Sequence, residues 1–146
     1  MSRSGKPVLC AIDVSNKGLD ANVLQEAARM AKMNDAQLDV ITVLPDLGMS
    51  IVGGYFDKDH HEKALAQASA LMREMIEEAL GPEANASIRH LVATGSAYEE
   101  ILKAAKAADS GLIVIGAQKP DLHDFLIGPN ASRVVRHANC SVYVVR

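Results

Sequence analysis

Tryptophan is absent from this chain, and only three tyrosines and two phenylalanines stand among its 146 residues. A surface that stacks the bases of single-stranded nucleic acid needs more exposed rings than that. Excess positive charge is lacking too. The formal net charge of −3 argues against a duplex-binding face, which depends on clustered Lys and Arg. There are two cysteines, Cys10 and Cys140, with no CxxC pair and no Cys/His ligand spacing, which argues against a disulfide scaffold or a structural zinc. Both read as small core residues on strands. No apolar run is long enough to cross a bilayer. The basic stretch Met1–Lys6 leads into an apolar run broken by Asp13, so no signal peptide is expected. The expectation is a cytoplasmic protein with no nucleic-acid partner, no membrane partner and no redox cofactor.

What the chain does have is apolar mass. With 49% hydrophobic residues it can bury one sizeable core, and the length suits a single domain over 1–146. Short β-branched runs alternate with longer helical patterns. Val8–Asp13 reads as a buried strand ending in an acid, and Leu19–Met33 as a helix closed by Asn34-Asp35. Leu38–Leu44 reads as a strand stopped by Pro45, and Gly48–Phe56 as part of a glycine-bearing loop. The spacing then predicts a long helix over Lys58–Leu80 that Gly81-Pro82 ends, and a strand over Ser87–Ala93. Ser96 to Glu99 has the form of a capping box that opens the next helix. Leu112–Ile115 is a fourth strand, a helix runs to Ala138, and Ser141–Val145 is a fifth strand. Such alternation predicts a doubly wound α/β fold: a five-stranded parallel sheet with helices on both faces. An order of 3-2-1-4-5 would set the first and fourth strand ends side by side, where ligands of such sheets sit.

Those two ends carry unusual chemistry. Asp13 follows an otherwise apolar strand. Its carboxylate could hold a ribose hydroxyl or a Mg²⁺ on phosphate oxygens, or it could cap the following helix with Ser15 or Asn16. Gly116 follows the fourth strand and Gly128 precedes a helix. Together they suit close approach of a phosphate to backbone N–H groups, and they equally suit ordinary turns. Neither a Walker A loop nor GxGxxG is present. Lys119 could add a phosphate contact or stand solvated beside Pro120, and His123 reads as a surface histidine. His60-His61-Glu62 lacks the i,i+4 histidine pair of a helical zinc site, and no nucleophile elbow or matched carboxylate pair supports catalysis.

Three blocks resemble the universal stress protein family, most closely its small single-domain bacterial F and G branch. They are Leu9–Ser15, Ile41–Pro45 and the ending from Ile115-Gly116 through Gly128–Ala138 to Ser141–Arg146. The resemblance covers nearly the whole chain and implies an adenine nucleotide alpha hydrolase-like fold that binds ATP, ADP or AMP. It places Asp13 near ribose and a Mg²⁺ carried on the phosphates, Ala11 and Ile12 among the nucleotide-binding residues, with Ala11 where nucleotide binders often have proline, and Val43 at the adenine edge through its backbone. Ile115 and Gly116 would flank ribose and phosphates, and Gly128, Pro129, Asn130 and Ala131 would form the phosphate cradle with Lys119. It also implies a homodimer through Ser141, Val142, Tyr143, Val144 and Val145. Two positions depart from the nucleotide-binding pattern of Gly, two residues, Gly, nine residues, Gly-Ser/Thr. Lys119 stands at the second glycine, and Pro129 replaces the Ser/Thr, removing a hydroxyl and a backbone donor together.

The expected function is that of a dimeric stress-response protein that binds an adenine nucleotide and acts on an unidentified protein partner, the ligand ordering the Lys119–Ile127 loop. The alternative is a dimeric interaction module whose cleft takes no nucleotide because of Lys119 and Pro129. Enzymatic activity would amount at most to slow hydrolysis or to autophosphorylation at Ser132 or Ser15.

Overall fold

Five apolar runs form the strands: β1 (Val8–Ala11), β2 (Leu38–Leu44), β3 (Arg89–Thr94), β4 (Leu112–Gly116) and β5 (Ser141–Val145). All pair in parallel in the order β3-β2-β1-β4-β5. Between them lie α1 (Ala21–Met33), α2 (Lys58–Leu80), α3 (Pro82–Ser87), α4 (Ala97–Ala108) and α5 (Pro129–His137). The computed structural model describes residues 3–15, 20–45, 58–117 and 128–146.

Because side chains alternate across a strand, the continuous apolar runs feed two cores, one on each face. Val8, Cys10, Val40 and Val114 point to α1 and α2, where they meet Val23, Leu24, Met72 and Ile76. Leu9, Ala11, Ile41, Ile113 and Ile115 point to α4 and α5, where they meet Ile101, Ala105, Ala131 and Val134. Each fully buried Leu, Ile or Met contributes about 1.5–3 kcal/mol, so the central strands are held from both sides.

Several elements differ from the sequence expectation. β1 stops at Ala11, although the Ile12 N–H still donates to the Ile41 carbonyl at 2.9 Å, and the chain turns away at Asp13. Gly81-Pro82 ends α2 and at once begins α3: Gly81 has φ 93°, and Pro82 is pre-set for a first helical turn. That extra turn moves the start of β3 from Ser87 to Arg89. Ser96 holds the N-cap position of α4, yet its hydroxyl makes no capping bond, and Glu99 instead accepts the Tyr98 hydroxyl at 3.1 Å. Cys140 is half-buried just before β5 rather than on it, whereas Cys10 lies fully buried in β1, where burial pushes its thiol pKa far up.

One polar pair is built into the sheet. Asp39 is 0% exposed and accepts two bonds from its cross-strand partner Arg89, at 3.1 and 2.6 Å. The fork-to-carboxylate geometry satisfies both carboxylate oxygens, which makes the burial tolerable.

Candidate functional site

β1 and β4 are neighbours whose carboxyl ends turn to opposite sides, toward α1 and toward the start of α5. A cleft of about 450 Å³ opens there. Its floor is apolar, formed by Ala11, Ile41, Val43, Ile101 and Ile115, and its rim carries Asp13, Asp20, Gly116 and residues 128–131. The volume lies within the range of small-molecule sites.

Asp13 closes a tight Asx turn, its Oδ1 accepting the backbone N–H and the hydroxyl of Ser15 at 2.9 and 2.6 Å. It therefore does not cap α1. That position belongs to Asp20, which sequence reasoning passed over. The Asp13 N–H donates to Asp20 Oδ2 at 2.7 Å, so the carboxylate that might have capped its own helix ties down the β1 exit instead. Burial pushes the Asp20 pKa above the usual carboxylate range; the Asp13 N–H opposes that shift, and the nearby Asp13 charge adds to it. An acid at a helix start, seven residues after an acid at a strand end, was the available signal.

Gly116 has a specific steric reason. Its missing side chain faces α1, and a Cβ there would lie 3.3 Å from Val23 Cγ2 and 3.6 Å from Asp20 Oδ1. The tight neighbour is Val23 of α1, whereas the Asp20 carboxylate would stay at ordinary contact distance. Beyond it, the Ala117 N–H donates to the Val145 carbonyl at 2.8 Å, and the Gly128 N–H donates to the Ala117 carbonyl at 2.6 Å. Gly128 is the N-cap of α5 without a side-chain cap, and Pro129 is its first residue. The first turn of α5 consequently presents Asn130 and Ala131 as its backbone donors toward the rim.

Val43 contributes through its backbone. Within a strand the N–H and C=O of one residue point the same way and alternate along the chain. Ile41 accepts from the β1 side and Leu44 from the β3 side, so the polar groups of Val43 face the space beyond the end of β1.

Ala11, Ile12, Asp13, Val43, Ile115, Gly116, Gly128, Pro129, Asn130 and Ala131 thus meet around one cleft. Lys119, His123, the Lys119–Ile127 loop and Gly48–Phe56 lie outside the described residues. Ser15 lines the cleft, while Ser132 lies exposed on α5. On β5, Tyr143 packs against the α1 face and its hydroxyl donates to Glu26 at 3.0 Å; Val142 and Val144 pack on the opposite face. Among the described residues no three His, Cys, Asp or Glu side chains are grouped as a metal site, and no helix is long and apolar enough to cross a membrane. Asp13 and Asp20 accept N–H and hydroxyl donors that hold the β1 exit in place.

The family model described as "Universal stress protein family" matches residues 5–146. Universal stress protein G of Shigella flexneri is 28% identical over 144 residues, covering 97% of this chain and 99% of that protein. Among solved structures, the universal stress protein UspA from Lactobacillus plantarum superposes with a TM-score of 0.70 at 25% identity, over all of both chains. A universal stress protein from Archaeoglobus fulgidus in complex with dAMP has a TM-score of 0.58 at 25% identity, over 97% of this chain and 98% of that one.

Proposed function

The chain belongs to the universal stress protein family, and from that premise we propose that its cleft binds an adenine nucleotide and that occupancy biases the binding of a protein partner. The observation that carries this reading is the convergence of residues far apart in sequence. The exits of β1 and β4, the Val43 backbone and the start of α5 all open on one cleft. In this reading adenine lies over Ala11 and Ile41, with its edge against the outward N–H and C=O of Val43. Ribose lies above Ile115 and Gly116 beside Asp13, and phosphate lies at Asn130 and Ala131, at the positive end of the α5 dipole. The bound dAMP of the Archaeoglobus relative supports the ligand class. Magnesium, where it enters, comes on the ligand's phosphates.

The protein acts in this reading as a cytoplasmic single-domain homodimer joined through the open edge of β5, and its output is conformational rather than catalytic. Equilibrium dialysis of the purified protein against labelled AMP, ADP and ATP tests the ligand. Retention of any of them supports the reading, and no association at millimolar ligand defeats it.

A further inference from the structure

Independently of the nucleotide cleft, we propose a second ligand site at the opposite end of the sheet, which takes a neutral small molecule with an apolar body and one hydrogen-bonding group. A cavity of about 980 Å³ opens there, where the last turns of α4 and the end of α5 meet the amino ends of β4 and β5. It shares no lining residue with the cleft. Residues 16–19, 46–57 and 118–127 begin at the other end, after β1, β2 and β4. Ahead of Lys6 the chain leads toward the end of α1, where Arg3 and Ser4 are bonded to Ala36 and Asp35.

Ser110 is the residue that points to a ligand. It lines the cavity, is 7% exposed, and its hydroxyl has no hydrogen-bond partner among the described residues. The stop of α4 does not need that hydroxyl. Asp109 turns the chain at φ 53°, and the Ser110 backbone N–H donates to the Ala105 carbonyl at 2.9 Å, as an alanine could do equally well. A buried hydroxyl without a partner is unfavourable, and a ligand group that reaches it regains the lost bond. Around it Leu102, Ala105, Ile113 and Ala138 supply apolar lining. The charges at the rim answer one another: Lys6 faces Asp109 at 3.6 Å, Lys103 is bonded to Glu100 at 3.1 Å, and Glu99 accepts the Tyr98 hydroxyl. Such a rim offers little net field to an ion, so the occupant is neutral, with its polar group directed at Ser110.

The test is fluorescence titration of the full chain with three probes that share one ring system: 1-naphthol, naphthalene and 1-naphthoate. Burial alone favours naphthalene, so a preference for 1-naphthol reports a hydrogen bond. The expected result is 1-naphthol bound about fivefold more tightly than naphthalene and more tightly than the anionic 1-naphthoate, with Ser110→Ala removing the preference over naphthalene. Amide shifts in the nuclear magnetic resonance spectrum are expected at Leu102, Ile113, Ala138 and Cys140. No association of 1-naphthol at millimolar concentration overturns the site. So do shifts confined to Ala11, Ile41 and Val43, which place the probe in the other cleft. Binding of 1-naphthoate as tight as that of 1-naphthol overturns the neutral class, and a preference that survives Ser110→Ala overturns the role of the hydroxyl. Should the variant fold poorly, the parent supplies the second arm: naphthalene bound as tightly as 1-naphthol overturns that role as well. None of these outcomes bears on nucleotide binding.

Discussion

The backbone N–H of Asp13 donates to the carboxylate of Asp20 at 2.7 Å, so the exit of β1 is fastened to the first residue of the α1 cap rather than left as a free turn. Asp20 holds this bond at a cost, since burial and the neighbouring Asp13 charge raise its folded pKa above the unfolded value. An acid shifted upward costs nothing below its unfolded pKa, where both states hold the proton. It destabilises the fold progressively as pH rises through the folded pKa. Asp20→Asn therefore melts at a higher temperature than the parent at pH 7, and the difference closes as the pH falls toward about 4. Thermal melts across that range check the sign. A difference that is independent of pH would show that the charge is not its source.

Gly116 and Val23 share the next constraint. Gly116 has no positive φ among the glycines of the fold, so its requirement is spatial and not conformational. Gly116→Ala places one carbon 3.3 Å from Val23 Cγ2, a contact that a small shift of the valine relieves. Gly116→Val adds two methyls against α1 and is expected to lower stability by about 1–3 kcal/mol in urea denaturation. Equal stability of the alanine and valine variants would contradict the tight fit.

Arg89 supports a carboxylate that water cannot reach. Asp39 is 0% exposed while the Arg89 side chain is 53% exposed, so removing the arginine strands a buried charge. Arg89→Ala is expected to cost about 2–3 kcal/mol by chemical denaturation. Arg89→Lys recovers part of it, because an ammonium cannot reproduce the two-pronged contact. An alanine variant as stable as the parent would mean that solvent replaces the guanidinium.

The contrast between Asp13 and Asp20 shows where sequence reasoning reaches. Asp13 interrupts an apolar strand, so its place at a strand end is visible from period alone. Asp20 precedes Ala21 as many acids precede helices, and nothing in the pattern says that its carboxylate turns back to the Asp13 N–H. Alternation of elements and handedness predict a doubly wound parallel sheet and suggest its strand order, which the pairing of β1 with both β2 and β4 establishes. The use of the Gly128 N–H by Ala117 is a distance between segments that only the folded chain reveals. Gly81-Pro82 misled for a different reason: the same dipeptide ends one helix and starts another, and only Asn85, buried beneath α2 and bonded to Glu77 and His90, distinguishes the two. The Ser96 motif names a capping position correctly and a capping bond incorrectly.

Pro129 separates the nucleotide reading from that of a cleft that takes none. Pro129→Ser restores an N–H and a hydroxyl at the start of α5. It should tighten AMP by about tenfold and leave adenosine, which has no phosphate, unchanged. If the parent binds no nucleotide and Lys119→Gly with Pro129→Ser creates binding, the cleft of the natural sequence is a closed remnant and the protein acts through its surfaces alone. Dialysis of the three chains side by side decides between them.

The proposed homodimer can be tested at the backbone of the edge strand. β5 is an edge strand, and an open edge of this kind tends to be covered. The Val145 carbonyl faces β4, where it accepts the Ala117 N–H, so by alternation the polar groups of Val142 and Val144 face outward along the open edge. Val144→Pro removes one outward donor while sparing the ladder to β4, and proline is tolerated at edges. The expected result is a monomer by light scattering, with unchanged far-ultraviolet circular dichroism. Tyr143→Asp is a poorer probe, because the Tyr143 hydroxyl is bonded to Glu26 of the same protomer at 3.0 Å and a second carboxylate there would loosen α1 as well. A dimer that survives Val144→Pro would place the interface elsewhere than on β5.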